Sequence, residues 1–281
     1  MIPSSLMRCV PFPASSVGSG SVPPDSPMPV RRATPPRFAL REVCLDLLGG
    51  SSRRIRLVLP QDWRDVPHRA RAPPFWALPW PCGTATSRLL LERPELVAGK
   101  QVCDLGCGVG AAGLAAGLAG AEHVAFADHN AHALHCAWAG AEANGLGDRC
   151  STLALDWSDE LHATDSSEGP TRFDVVLACD VCYSLSTEDT AGSASFAAVT
   201  RTMRALLRPG GHLLVAMPIE SESRPQATHE EAHRCFEALT CPDGGFVAER
   251  VSELAGAQLP GEGPEGLATS RRVLLGSLRL H

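Results

Sequence analysis

VCDLGCGVGAAG, residues Val102 to Gly113, is a short apolar run that stops at a cluster of glycines and continues into an Ala/Leu-rich segment. That order is the signature of a strand, a tight turn and a helix opening over the turn. The same alternation repeats downstream. HVAFAD (123–128), CSTLALDW (150–157), FDVVLACD (173–180) and HLLVAM (212–217) read as strands, while NAHALHCAWAGAEANG (130–145), FAAVTRTMRALL (196–207) and HEEAHRCFEALT (229–240) read as helices. GFVAERVSEL (245–254) and RRVLLGSLRL (271–280) supply two final strand candidates. Strands alternating with helices imply an α/β fold, a doubly wound and mostly parallel seven-stranded sheet of Rossmann-like type with helices on both faces.

In such a sheet ligands bind at the carboxyl ends of the strands, where strand order reverses. The glycine loop after the first of these strands is therefore the place to look for a cofactor. Its spacing admits two registers: Gly108, Gly110 and Gly113 match the dinucleotide pattern G-x-G-x-x-G, and Gly106, Gly108 and Gly110 give G-x-G-x-G. Asp104, on the strand just before the loop, separates the two. A carboxylate there repels a pyrophosphate and attracts a ligand that carries an ammonium and a sulfonium, as S-adenosylmethionine does. Asp128 ends the next strand, where an acid accepts hydrogen bonds from ribose hydroxyls, a feature common to NAD and S-adenosylmethionine sites. In LDW, Asp156 is placed to accept from an adenine amino group and Trp157 to cover its ring. With Asp180 these make four acids at the ends of four strands. Any single one is as readily a turn or N-cap residue.

The last of the four opens a second question, because LACDVCYSL (177–185) contains a C-x-x-C, Cys179 to Cys182, as well as the chain's sole tyrosine, Tyr183. Structural zinc needs two further ligands at suitable spacing and no second C-x-x-C exists, so no metal is expected. A redox pair would open a helix after a first strand, which this one does not. Cys103 and Cys107 read as small buried fillers around the glycines. His129, His132 and His135 lack the i, i+4 spacing of a helical zinc pair and read as residues at the surface or the start of the second helix.

VCDLGCGVGAAGLAAGLAGAEHVAFADHNAHALHCAWAGAEANG followed by FDVVLACDVCYS resembles the seven-β-strand S-adenosylmethionine-dependent protein lysine methyltransferases, marked by D-x-x-Y after the fourth strand. Asp180 and Tyr183 fill that pattern. The upstream PPFWALPWPCGTATSRLLLERPELVAGKQVCDLGCGVGA is similar to the electron-transfer flavoprotein beta subunit lysine methyltransferase group, with its P-[FY]-W-A…W-P-x-G segment. The resemblance covers roughly Pro73 to Pro218. It implies S-adenosylmethionine as cofactor, a protein lysine as substrate, Asp180 and Tyr183 as catalytic residues, and Trp80 and Gly83 closing the methionine end of the cofactor pocket. Ser184 stands where members of that group carry an acid after the tyrosine. Methylation of histidine, arginine or a small molecule, an NAD-dependent oxidoreductase, and a cofactor-binding module without chemistry are the alternatives.

Composition bounds the remainder. The chain has 281 residues, 44% of them hydrophobic, with a formal charge of −6. No apolar run approaches the roughly 18 residues of a membrane-spanning helix and no basic stripe calls for nucleic acid, so a soluble monomer without membrane or nucleic-acid partner is expected. Eleven scattered cysteines suit reduced, buried thiols inside the cell. Residues 1–40, rich in Ser and Pro with four arginines and the single acid Asp25, read as a disordered tail or a transit segment; the second would place the protein in mitochondria or another organelle, the first in the cytoplasm. Residues 41–72 read as an N-terminal hairpin covering one edge of the main domain, which spans 73–281.

Overall fold

The computed structural model describes residues 38–47, 54–66, 74–157, 172–181, 196–219, 225–255 and 272–280. The tail before Phe38, the Gly49-Gly50 turn and the segment with Cys182, Tyr183 and Ser184 lie outside the described residues.

Strands β1 (Leu40–Leu45) and β2 (Ile55–Pro60) pair antiparallel as a separate hairpin. Helix α1 (Pro81–Glu92) precedes the main sheet, which is built from β3 (Gln101–Leu105), β4 (His123–Asp128), β5 (Cys150–Ala154), β6 (Phe173–Cys179), β7 (Leu207–Pro218), β8 (Phe246–Ala255) and β9 (Arg272–Leu280). Their order is β5-β4-β3-β6-β7-β9-β8. The first five are parallel, and β9 alone runs against its neighbours. From β3 the chain steps outward through β4 to β5, then returns to place β6 on the other side of β3. The switch point is therefore the crevice between β3 and β6.

Helices α2 (Ala111–Leu118), α3 (Ala131–Ala143), α4 (Phe196–Leu206) and α5 (Pro225–Thr240) complete the layers. Successive strand residues serve opposite cores, as a period of two demands. Val102, Val124, Phe126, Val175 and Leu177 pack with α2 and α3 on one face, while Cys103, Ala125, Val176 and Val215 pack with Met203 of α4 and Phe236 of α5 on the other.

Two expectations change. The hairpin does not lie along a sheet edge. Ile55, Leu57 and Leu59 are buried with Leu114 and Ala141, and Asn144 clasps the backbone of Arg56, accepting from its N–H at 3.0 Å and donating to its carbonyl at 2.7 Å. The Ala/Gly surfaces of α2 and α3 are smooth enough for a third layer: a side chain at Gly140 would meet Leu114 at 2.9 Å and the Arg56 carbonyl at 3.6 Å. The Pro-Gly-Gly expected to separate α4 from the next strand is instead absorbed into β7, at the irregular pairing opposite Phe173 and Val175.

Candidate active site

The loop after β3 chooses between the two glycine registers. Left-handed φ values fall on Gly106 (67°), Gly108 (52°) and Gly110 (83°), whereas Gly113 lies inside α2. G-x-G-x-G is therefore the turn, and Gly113 serves close packing. Three strand ends converge on Gly106: a methyl group there would meet Val181, past β6, at 2.5 Å and Trp157, past β5, at 3.3 Å. Only glycine fits both the conformation and the space. The segment before α1 joins them, with the Trp76 carbonyl 3.0 Å from where a Gly108 side chain would begin.

Asp104 is buried (2%) and one carboxylate oxygen accepts from the Gly113 N–H at 2.8 Å. Burial pushes it up to about 7, opposed by that hydrogen bond, and the Asp128 charge adds to the rise. Asp128 is also buried (6%). It accepts from the Gly108 N–H at 3.0 Å and the Asn130 N–H at 2.9 Å, tying the end of β4 to the glycine loop. Burial raises its pKa against those hydrogen bonds.

Asp180 completes the row from the other side of the switch crevice. Among the described residues it is the one non-glycine with positive φ (59°), a conformation that Asp tolerates better than most but that still costs about 1–3 kcal/mol when held. Its N–H donates to the Ala216 carbonyl at 3.0 Å, and its Oδ2 is buried without a hydrogen-bond partner. Burial pushes this carboxyl up to about 6, with hydrogen bonds from Cys82 holding it down.

The other expected residues divide. Trp157 joins the convergence at Gly106. Strand β5 ends at Ala154, two residues short of Asp156, so Asp156 is an exposed residue of the loop that follows and not a strand terminus like Asp128. Gly83 lies in the first turn of α1 with its position facing Ala111, the first residue of α2, at 3.9 Å. Trp80 caps α1 with its backbone while its indole N–H donates to the Phe75 carbonyl at 2.6 Å. Tyr183 lies outside the described residues. Cys179 donates to Thr86 Oγ1 at 3.3 Å. Cys103 is a buried filler, as expected, and burial pushes its thiol up; Cys107 is only half-buried.

One participant was not foreseen. Asn130 caps α3, accepting from the N–H groups of His132 and Ala133, while its own N–H holds Asp128; Asp-His-Asn ahead of a helical run carried that signal. His132, in the first turn of α3 where it was expected, packs edge-on against Phe38 and beside Trp76, with ring centroids 5.2 and 6.2 Å away.

The arrangement fits a cationic ligand. Two carboxyls raised by desolvation flank one crevice, and one has an unfilled buried oxygen; a pyrophosphate would worsen this charge balance, whereas an ammonium and a sulfonium would relieve it.

Comparison with known proteins agrees. A family model described as a methyltransferase domain matches residues 96–258. Over 74 residues the chain is 47% identical to the electron transfer flavoprotein beta subunit lysine methyltransferase of Xenopus laevis, a match covering 25% of this chain and 30% of that relative, less than a third of its length. It is 26% identical over 201 residues to a protein N-terminal and lysine N-methyltransferase of Yarrowia lipolytica, covering 64% of this chain and 69% of the other. A solved structure described as a candidate RNA methyltransferase of Pyrococcus horikoshii superposes with a TM-score of 0.50 at 16% identity, over 75% of this chain and 90% of that one, a likeness of fold alone. With more than half its length matched by that model, the chain belongs to the methyltransferase domain family, with S-adenosylmethionine as the cofactor its loop and acids fit.

Proposed function

We propose that the protein transfers the methyl group of S-adenosylmethionine to the side-chain amine of a lysine in a protein substrate. The observation that carries this reading is Asp180, held in a left-handed conformation at the switch crevice with a buried, unpartnered Oδ2. The names of the Xenopus and Yarrowia relatives support lysine as the acceptor.

Bound S-adenosylmethionine supplies an electrophilic methyl on a sulfonium. Asp104 and the loop Gly106, Gly108 and Gly110 hold its methionine portion, with Trp80 and Gly83 closing that end. Asp128 accepts from its ribose, and Asp156 and Trp157 receive its adenine. Asp180, raised only to about 6, is ionised at neutral pH and receives the incoming ammonium as counter-ion. A free lysine titrates near ~10.4, so the amine must lose its proton before attack. Desolvation in the closed crevice favours that loss, which makes Asp180 an anchor for the amine more than a strong base. Tyr183 offers its oxygen or ring face to the same group. The protein acts as a monomer, in an organelle if residues 1–40 serve as a transit segment and in the cytoplasm otherwise. No described helix is long and apolar enough to cross a membrane.

Tritiated-methyl transfer to fractionated extract, with mass spectrometry of the labelled band, tests the reading. Asp180→Asn is expected to lower labelling about a hundredfold, the scale of a lost orienting group, while S-adenosylhomocysteine affinity stays within about threefold. Equal labelling by both proteins, or label on a residue other than lysine, overturns it.

A further inference from the structure

The segment from Phe75 to Trp80 bridges the mouth of the switch crevice, because it is fastened on both sides. On the β3 side, Trp76 lays its carbonyl over the glycine turn, 3.0 Å from where a Gly108 side chain would begin. On the β6 side, Trp80 opens α1, and the first two turns of that helix are fixed to the strand ends. Cys82 and Ala85 are buried with Ala216 of β7, and Thr86 accepts from the Cys179 thiol at 3.3 Å. Asp180 follows Cys179 directly, and its N–H donates to the same Ala216. At this bridge Phe75 is 49% exposed. A single exposed apolar side chain is ordinary on a protein surface, but this one is backed and held. Its ring centroid lies 5.9 Å from that of Trp80, tilted by 43°, and the Trp80 indole N–H is spent on the Phe75 carbonyl at 2.6 Å. The pair therefore has no side-chain hydrogen-bonding group left to offer. Among the described residues the other large apolar side chain so exposed is Val251, on β8 at the far flank of the sheet.

We propose that Phe75 and Trp80 form the outer wall of the acceptor subsite and take the aliphatic stem of the substrate lysine. The inference rests on the lysine reading above and deepens it. Its two ends ask for different chemistry. Asp180 Oδ2 is buried and unpartnered, so whatever fills that end must bring a donor, and a cation satisfies a carboxylate best. The rim is aromatic and has no donor of its own to give. A side chain that is apolar along its length and cationic at its tip matches both ends, as a run of methylenes ending in an ammonium does. Contact between the stem and the rings is the same before and during methyl transfer. It is therefore uniform binding, which lowers the half-saturating substrate concentration and leaves the turnover rate alone.

Small amines probe the subsite without any protein substrate. The full chain with S-adenosylhomocysteine bound is titrated with n-butylammonium, methylammonium and n-butanol, which read stem and charge separately. The signal is the Trp80 indole N–H in nitrogen-15 NMR, assigned by its loss in Trp80→Phe. n-Butylammonium is expected to bind about tenfold more tightly than either of the others. Phe75→Ser should erase its advantage over methylammonium, Phe75→Leu should keep that advantage to within about threefold, and Asp180→Asn should erase its advantage over n-butanol. In tritium labelling of serially diluted extract, Phe75→Ser should raise the half-saturating extract concentration about tenfold, with the saturated rate and the S-adenosylhomocysteine affinity within about threefold of wild type. Equal binding of n-butylammonium and methylammonium by the wild type, or a Phe75→Ser protein that keeps the preference, overturns the wall. n-Butanol that binds as tightly as n-butylammonium shows a general apolar patch and overturns it too, as does a Phe75→Ser protein that loses the S-adenosylhomocysteine site. Lysine labelling that depends on Asp180 but saturates alike in wild type and Phe75→Ser overturns the wall and leaves the parent reading. Labelling unchanged in Asp180→Asn sinks the parent reading and the wall with it.

Discussion

The two sides of the switch crevice hold their acids in opposite ways. On the β3/β4 side, Asp104 and Asp128 are buried and bound by backbone N–H groups of the loops they support. On the β6 side, Asp180 is half-buried, twisted into a left-handed conformation, and left with an oxygen that nothing satisfies. The first pair is built into the scaffold, and its geometry is set before any ligand arrives. Under the function proposed above, the second receives a charge that comes from outside. On that same reading, a cofactor half made rigid and an acceptor half left unsatisfied match what differential binding at the reacting centre requires.

The contrast is broken most severely at Gly106, where both halves touch. Gly106→Ala places a methyl 2.5 Å from Val181 on a left-handed backbone, and strain plus overpacking should cost about 2–5 kcal/mol. Thermal melting should show that loss, and calorimetry should find no S-adenosylhomocysteine binding. A variant that melts and binds like wild type would refute the convergence of the three strand ends.

Next in size is the pH response of the rigid half. Asp104 stands near 7 in the ligand-free protein because burial favours its neutral form, and the groups around it are Asp128, Cys103, Cys107 and Cys179. A ligand bearing an ammonium favours the carboxylate. Affinity for S-adenosylhomocysteine should therefore tighten about tenfold from pH 6 to pH 8, and Asp104→Asn should bind more weakly with a flatter profile. Stability of the empty protein runs the other way. A carboxyl raised on folding contributes fully below its unfolded pKa near ~4, and that contribution is lost as pH rises through about 7. Affinity that falls over this range would mean that Asp104 meets no cation.

The smallest effect belongs to the hairpin, remote from both halves. Asn144→Ala removes the clasp on Arg56 and should cost about 1–2 kcal/mol with cofactor affinity unchanged. A shift in affinity would show that the hairpin reports to the crevice after all.

What could be read in the sequence was whatever depends on local order. The glycine turn, the alternation of strand and helix, and the acids at 104, 128 and 180 all follow from neighbours within a few residues. Long-range facts could not be read that way. Whether Asp104 is bound by Gly113, whether β5 stops before Asp156, and whether the hairpin settles on α3 depend on packing between distant segments. The turn containing Gly210 misled for a related reason, because pairing with β6 draws it into β7.

Strand β9 sits between β7 and β8 although it follows both in the chain. Until it arrives, β7 presents a bare row of amide and carbonyl groups, and β8 has no partner in the sheet. Such an open margin is a template for wrong pairing, and closing it joins segments far apart in the chain, which slows the step. The far flank of the sheet is thus the place where a destabilised variant would cross over to self-association, even when its lesion lies elsewhere.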